Sequence, residues 1–272
     1  MRLTTLAGLL SFYIAVAYGL AEPKTTGLLF VASRPTHPEL TEDVFNQWYN
    51  KEHLPNFINK NISDLAVRYK NTNTSAEYPY LAVYRIDVEK LKNPLLLTGL
   101  TFTSQLLPGK TNGTKGGSFL DVMKMDMRMY SRIQTFEGQT PEKSRGKGLI
   151  TLAMEPTAGT EKEVDDWYRL QHLDMFRYCS TMAPKWYIAQ IRLTRSSMLK
   201  GYHRSTRYQK LDNSSPRFLA MHEFDTTSIP AEMKMLLNTE WAKKIVAGTK
   251  SSERNVWEWV AELGKGKAEE KF

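Results

Sequence analysis

The stretch Phe45-Asn46-Gln47-Trp48-Tyr49-Asn50-Lys51-Glu52-His53-Leu54-Pro55 returns downstream as Val164-Asp165-Asp166-Trp167-Tyr168-Arg169-Leu170-Gln171-His172-Leu173-Asp174. In both, a Trp-Tyr pair stands ahead of a His-Leu pair, and the tyrosine lies four residues before the histidine. Phe45, Trp48, Tyr49 and Glu52 recur at helical spacing, and Thr41 or Glu42 can start that helix. Working outward, Leu28-Leu29-Phe30-Val31-Ala32 precedes the first copy, as Leu149-Ile150-Thr151-Leu152-Ala153-Met154 precedes the second. Leu65–Lys70 is echoed by Arg204–Lys210, and Tyr80–Asp87 by Phe218–Asp225. A helical stretch follows each, over Val88–Leu107 and Ala231–Ala247, and then a strand-like run, Met127–Phe136 and Asn255–Ala261.

Motifs recurring in one order mark an internal repeat. Each copy reads β-α-β-β-α-β, the ferredoxin-like order, in which helices cover one face of an antiparallel sheet. The uncovered face needs a partner, and the sister half can supply it. The expected fold is therefore α+β, with two ferredoxin-like halves over 27–137 and 149–262 closing into one intrachain barrel. Gly138–Gly148, with Pro141 and basic residues, reads as the linker, and 263–272 as a disordered tail.

Composition fits a globular chain: 272 residues, 41% hydrophobic and 11% aromatic. The formal net charge of +8 raises nucleic-acid binding. The excess is poorly clustered, though, and no RNA-binding signature or zinc-finger spacing accompanies it, so no nucleic-acid partner is expected. Cys179 is the one cysteine, which rules out an intrachain disulfide and a cysteine-based metal site. Arg2, the apolar run Leu6–Ala21 and the small residues Gly19 and Ala21 read as a secretory signal peptide over 1–21, too short for a membrane span. Sequons at Asn61, Asn73, Asn112 and Asn213 fit a secreted glycoprotein. The alternative is a cytoplasmic protein whose leader is a gene-model artefact.

One stretch breaks the repeat. His53 to Arg68 is 15 positions, but His172 to Arg207 is 35. The extra residues, about 177–197, carry Cys179, Trp186 and the basic residues Arg177, Lys185, Arg192 and Arg195. They read as a surface excursion, a mobile flap or translated intron.

Together with Tyr202-His203-Arg204-Ser205-Thr206-Arg207-Tyr208, the two Trp-Tyr…His motifs resemble the fungal tandem relatives of the EthD family, in the dimeric α/β-barrel (ferredoxin-like) superfamily. The resemblance implies two sheets packed face to face, made here by one chain. It implies, by family chemistry, a cofactor-independent lyase or cyclase, a decarboxylase among the options, acting on an aromatic or polyketide-like molecule in secondary metabolism. Some members are monooxygenases and others depend on haem.

The residues allow that chemistry. Tyr49 and His53 share a helix face, as do Tyr168 and His172, and these four are the candidate catalytic groups. An imidazole beside a phenol can move a proton to and from an enolisable ketone or a phenolic acid. Arg68 and Arg207 in the second strands are candidates for holding a carboxylate, and Tyr84 and His222 occupy matching places in the third. The plainer reading is that the Trp-Tyr pairs are core and the arginines are ion-pair partners. No HExxH-like spacing exists, so no metal is expected, and no cofactor beyond haem as a minor option through His172 or His222. A non-catalytic small-ligand carrier and a haem- or oxygen-using oxidoreductase are the competing functions, and a homodimer is a further option.

Overall fold

The computed structural model describes residues 25–111, 113–138, 145–177 and 199–264. The expected leader, most of the expected linker, the insert with Cys179 and Trp186, the Asn112 sequon and the tail beyond 264 lie outside the described residues.

The first half runs β1 (Thr26–Pro35), α1 (Glu42–Trp48), a π-helical turn (Tyr49–His53), α2 (Leu54–Asn59), β2 (Leu65–Asn71), β3 (Tyr80–Asp87), α3 (Val88–Leu91), α4 (Phe119–Val122) and β4 (Met123–Glu137). The second runs β5 (Gly148–Pro156), α5 (Glu161–Trp167), a π-helical turn (Tyr168–His172), α6 (Leu173–Arg177), β6 (Tyr202–Lys210), β7 (Phe218–Phe224), α7 (Glu240–Ala247) and β8 (Thr249–Gly264). The eight strands close into an antiparallel barrel in the order β1-β3-β2-β8-β5-β7-β6-β4, with β4 returning to β1.

β1 is apolar at successive positions because both of its faces are covered. Leu28 and Phe30 point into the barrel with Val67, Val83, Tyr208, Leu219 and Trp257. Leu29 and Val31 point outward, beneath Phe45, Trp48, Tyr49 and Phe57 of the helical layer. Each fully buried side chain of this kind contributes about 1.5–3 kcal/mol. The second outer layer gathers Trp167, Tyr168 and Leu173 with Ile245 of α7.

The register sets four of the sequence-matched positions against one another. Arg68 pairs with Ala82 and Arg207 with Ala220. Leu29 pairs with Tyr84 and Ile150 with His222. The last strands are shared. β4 pairs with β1 through Met123–Ser131 and with β6 through Tyr130–Glu137. β8 pairs with β5 through Thr249–Glu258 and with β2 through Trp257–Gly264.

Three expectations need correction. The helix expected over Val88–Leu107 stops at Leu91, because Pro94 lacks an N–H and disfavours helical geometry at Asn93. A short 3-10 turn (Leu96–Gly99) and two small hairpins fill the space. The helix expected over Ala231–Ala247 is split: a 3-10 turn spans Ala231–Leu237, and α7 starts afresh where the Thr239 hydroxyl accepts from the Ala242 N–H. Both closing strands also run longer than the apolar pattern suggested, since Met123–Asp126 alternates apolar and polar side chains and Thr249–Arg254 is polar throughout.

Candidate active site

α1 begins at Thr41, whose hydroxyl accepts from the Val44 N–H, and Glu42 and Asp43 favour the positive end of the helix. After Trp48 the helix widens by one residue: the Leu54 N–H bonds the Tyr49 carbonyl five residues back. The Leu173 N–H does the same to Tyr168. Such π-turns concentrate at functional sites, and both Tyr…His pairs lie within one.

His53 stacks on Trp48, ring centroids 4.6 Å apart, and meets Tyr49, Phe57 and Phe119 edge to face at 4.9, 5.2 and 5.2 Å. Its Nδ1 is buried without a hydrogen-bond partner. Burial first, and the Arg68 charge second, press its pKa down to about 3, so the ring is neutral at physiological pH. The Tyr84 hydroxyl donates to the Tyr49 hydroxyl at 3.4 Å. Burial raises the Tyr49 pKa, against the opposing pull of that bond and of Arg68. The Arg68 guanidinium lies 4.3 Å over the Tyr49 ring and donates to Asn50 Oδ1 at 2.7 Å and Asn46 Oδ1 at 2.8 Å.

A cavity of about 70 Å³ opens beside this group. Leu29 and Val31 form its floor, Trp48, Tyr49, His53 and Tyr84 one wall, and Phe119, Met123, Met125 and Met127 the other. A polar groove of about 330 Å³ lies on the far side of Trp48 and His53, lined by Glu52, Asn56, Lys60 and Thr101. The stacked pair is thus the partition between an apolar cleft and a polar one.

The second half repeats the frame and changes its content. Trp167 stacks on His172 at 4.0 Å, Tyr168 meets it at 5.1 Å, and Arg207 lies 4.2 Å over the Tyr168 ring. His172 Nδ1 is likewise buried and unpartnered. Where the first half has Tyr84, the second has His222, its ring 6.3 Å from His172 and stacked on Phe176 at 4.7 Å. His222 Nδ1 is held 2.6 Å from the Ser205 hydroxyl, itself 2.8 Å from the Tyr202 hydroxyl. Burial carries the His172 pKa well below its ordinary value and that of His222 to about 3. Arg207 donates to Asp165 and Gln134 at 2.8 and 2.7 Å, so it is an ion-pair partner here. The cavity beside Tyr168 and Arg207 holds only about 10 Å³ and does not reach His172.

The sequence-predicted residues therefore gather as two separate sets: Tyr49, His53, Tyr84 and Arg68 in one, Tyr168, His172, His222 and Arg207 in the other. None of the cavities described is lined by both, so Tyr84 and His222 do not reach a common cleft. Of the cavities described, the larger clefts border the first set, and the second set has only the small space beside Tyr168 and Arg207. Sequence reasoning missed the methionines and Phe119 of the cleft wall, and the Ser205–Tyr202 chain. It also missed the contrast between Asn46 and Asp165, which alignment of the two copies would have exposed. Among the described residues no three His, Cys, Asp or Glu side chains are placed to hold a metal ion, and no helix is long and apolar enough to cross a membrane.

The strand pairing defines the class: a closed eight-stranded antiparallel α+β barrel with helices on its outer face. No family model matches the chain. It is similar to Core atranone cluster (CAC) protein 1 of Stachybotrys chlorohalonatus, at 29% identity over 242 residues, 88% of this chain and 92% of that one. Among solved structures, a chlorite dismutase variant from Candidatus Nitrospira defluvii aligns with a TM-score of 0.49 at 8% identity, over 88% of this chain and 93% of its own. A "putative monooxygenase" from Lactobacillus acidophilus aligns at 0.46 and 10%, over 90% and 98%. At these scores the barrel rests on its own strand pairing.

Proposed function

We propose that this chain is a single-polypeptide, EthD-like member of the dimeric α/β-barrel superfamily, built from two ferredoxin-like halves. Its first half acts as a cofactor-independent lyase or cyclase on a small aromatic or polyketide-like molecule. The observation that carries this reading is the buried, unpartnered Nδ1 of His53 in the wall of an apolar cleft, beside the Tyr49–Tyr84 hydroxyl pair. An apolar pocket with a few convergent polar groups is the usual form of a small-molecule site. The relative named for the atranone cluster supports a role in secondary metabolism.

In a cyclisation, His53 takes the α-proton of an enolisable ketone and a tyrosine hydroxyl donates to the enolate oxygen. The enolate carbon then bonds the acceptor carbonyl, and the proton returns to the resulting alkoxide. A neutral imidazole with a pKa of about 3 is a weak base on its own. An enolate formed in contact with the ring favours the imidazolium and brings the two groups closer in proton affinity. The same low pKa favours a second reading, a small-ligand carrier that performs no turnover.

The test is a panel of β-polyketones and hydroxybenzoates, with binding followed by calorimetry and products or carbon dioxide by mass spectrometry. His53→Ala should keep ligand binding within several-fold and lose turnover by about 10²-fold or more. Unchanged turnover in that variant overturns the catalytic role. Saturable binding with no turnover by the native protein leaves the carrier.

The secretory reading of the leader belongs to the same proposal. The described sequon asparagines Asn61, Asn73 and Asn213 are all exposed, which supports their use as glycan acceptors.

A further inference from the structure

A cavity larger than the His53 cleft lies away from both Tyr…His sets. It has a volume of about 430 Å³ and opens at one end of the barrel interior, whereas the His53 cleft lies outside the barrel, under the helices. Its floor is the barrel core, Phe30, Ala153, Leu219 and Trp257. Its rim is polar, because β4 alternates: the methionines of Met123–Met129 face outward, and Asp126 and Arg128 face in. Glu77, Glu253 and Asn255 complete that rim.

Each carboxylate at the rim is already bonded by a cation, with one negative charge left in excess because Arg128 is shared between two of them. Arg128 bonds Asp126 at 2.5 Å and Glu253 at 2.7 Å, and Glu77 bonds Lys124 at 2.6 Å. An anionic ligand would meet three carboxylates lining the cavity against one guanidinium, so it is disfavoured. A cation would have to compete with Arg128 and Lys124, which already engage all three carboxylates. What the rim offers is a ring of strong hydrogen-bond acceptors, a guanidinium and an amide above an apolar floor. Those are the groups that recognise hydroxyls presented around one apolar face.

We infer that the barrel mouth is a second binding site, independent of the His53 cleft, for a small, neutral, hydroxyl-rich molecule with an apolar face, of the size of an aryl glycoside.

The test uses the full chain made without glycosylation, since Asn73 also lines the mouth and is a sequon. Three probes are titrated by calorimetry and saturation-transfer NMR: neutral phenyl β-D-glucopyranoside, anionic 4-hydroxyphenylacetate and cationic tyramine. The glucoside should bind saturably and at least tenfold more tightly than the ions. Ala153→Trp, which fills the floor, should abolish its binding. Glu253→Gln, on a half-exposed side chain that folding tolerates, should weaken it several-fold, and His53→Phe should leave it unchanged. No saturable glucoside binding, preference for tyramine, or equal affinity in native protein and Glu253→Gln would each overturn the inference.

Discussion

Arg207 and Asp165 form an ion pair at 2.8 Å, and at the equivalent place in the first half Arg68 bonds the neutral amide of Asn46. Burial raises the Asp165 pKa, but hydrogen bonds from Arg169 and Arg207 outweigh it and hold the carboxyl below its ordinary value. A depressed carboxylate contributes stability above its unfolded pKa and loses it as pH falls through the folded one. Asp165→Asn should therefore cost about 1–3 kcal/mol at pH 7, and progressively less as pH falls through the depressed folded pKa, by urea denaturation. Asn46→Asp, which gives Arg68 a counter-charge, should cost less than about 1 kcal/mol. Equal losses for both would mean that the two arginines stand in equivalent electrostatic settings.

His53, His172 and His222 are buried and neutral, with pKa values driven downward by burial. In the unfolded chain each binds a proton near pH 6.5; in the folded one His53 and His222 do so only near pH 3, and His172 only well below its ordinary value. The unfolded state thus gains protons first, so stability is full above about pH 6.5 and falls as pH drops toward 3. The slope is up to about 1.4 kcal/mol per pH unit for each histidine. His172→Phe should flatten the slope by about one histidine's share. An identical pH profile for that variant would contradict the buried neutral assignment.

Gly148 starts β5 opposite Phe224, and a Cβ there would sit 1.9 Å from the Thr226 carbonyl oxygen. Gly27 in β1 is opposite Ile86, whose carbonyl oxygen would lie 2.9 Å from an added Cβ. Gly148→Ala should cost about 2–4 kcal/mol and Gly27→Ala less, read as thermal shifts. A harmless Gly148→Ala would show that the strand can move away from Thr226.

Val31 lies in the floor of the His53 cleft. Val31→Phe should fill most of the 70 Å³ and abolish ligand binding there, with a stability change within about 1.5 kcal/mol. Undiminished binding in a folded variant would place the ligand elsewhere.

The strands and helices of the barrel were largely legible because the motifs that mark them rest on large side chains with a fixed spacing. Tyr49 and His53 had to share a helix face, and Arg68 and Tyr84 fell in the second and third strand-like runs, from period alone. The π-turns were hidden, because one residue of widening leaves no compositional mark. The short α3 could have been anticipated from Asn93-Pro94. Which half borders the larger cleft was not readable, since that cleft is walled by Phe119 and the outward methionines, which come opposite His53 only through tertiary packing. The closing of the barrel was expected, but not the sharing of β4 and β8, whose polar outer stretches look like loop until a neighbouring strand takes up their backbone groups.

That sharing has a consequence for how the protein can be divided. If translation stopped after Glu137, β4 would keep its partner β1 but leave its far stretch bare, and β2 would lose its neighbour β8. Two such amino-terminal fragments can satisfy each other by the same exchange, since the stretch each lacks resembles the stretch each carries. The fragment alone should accordingly sediment as a homodimer, and the carboxy-terminal fragment, added during refolding, should displace one copy.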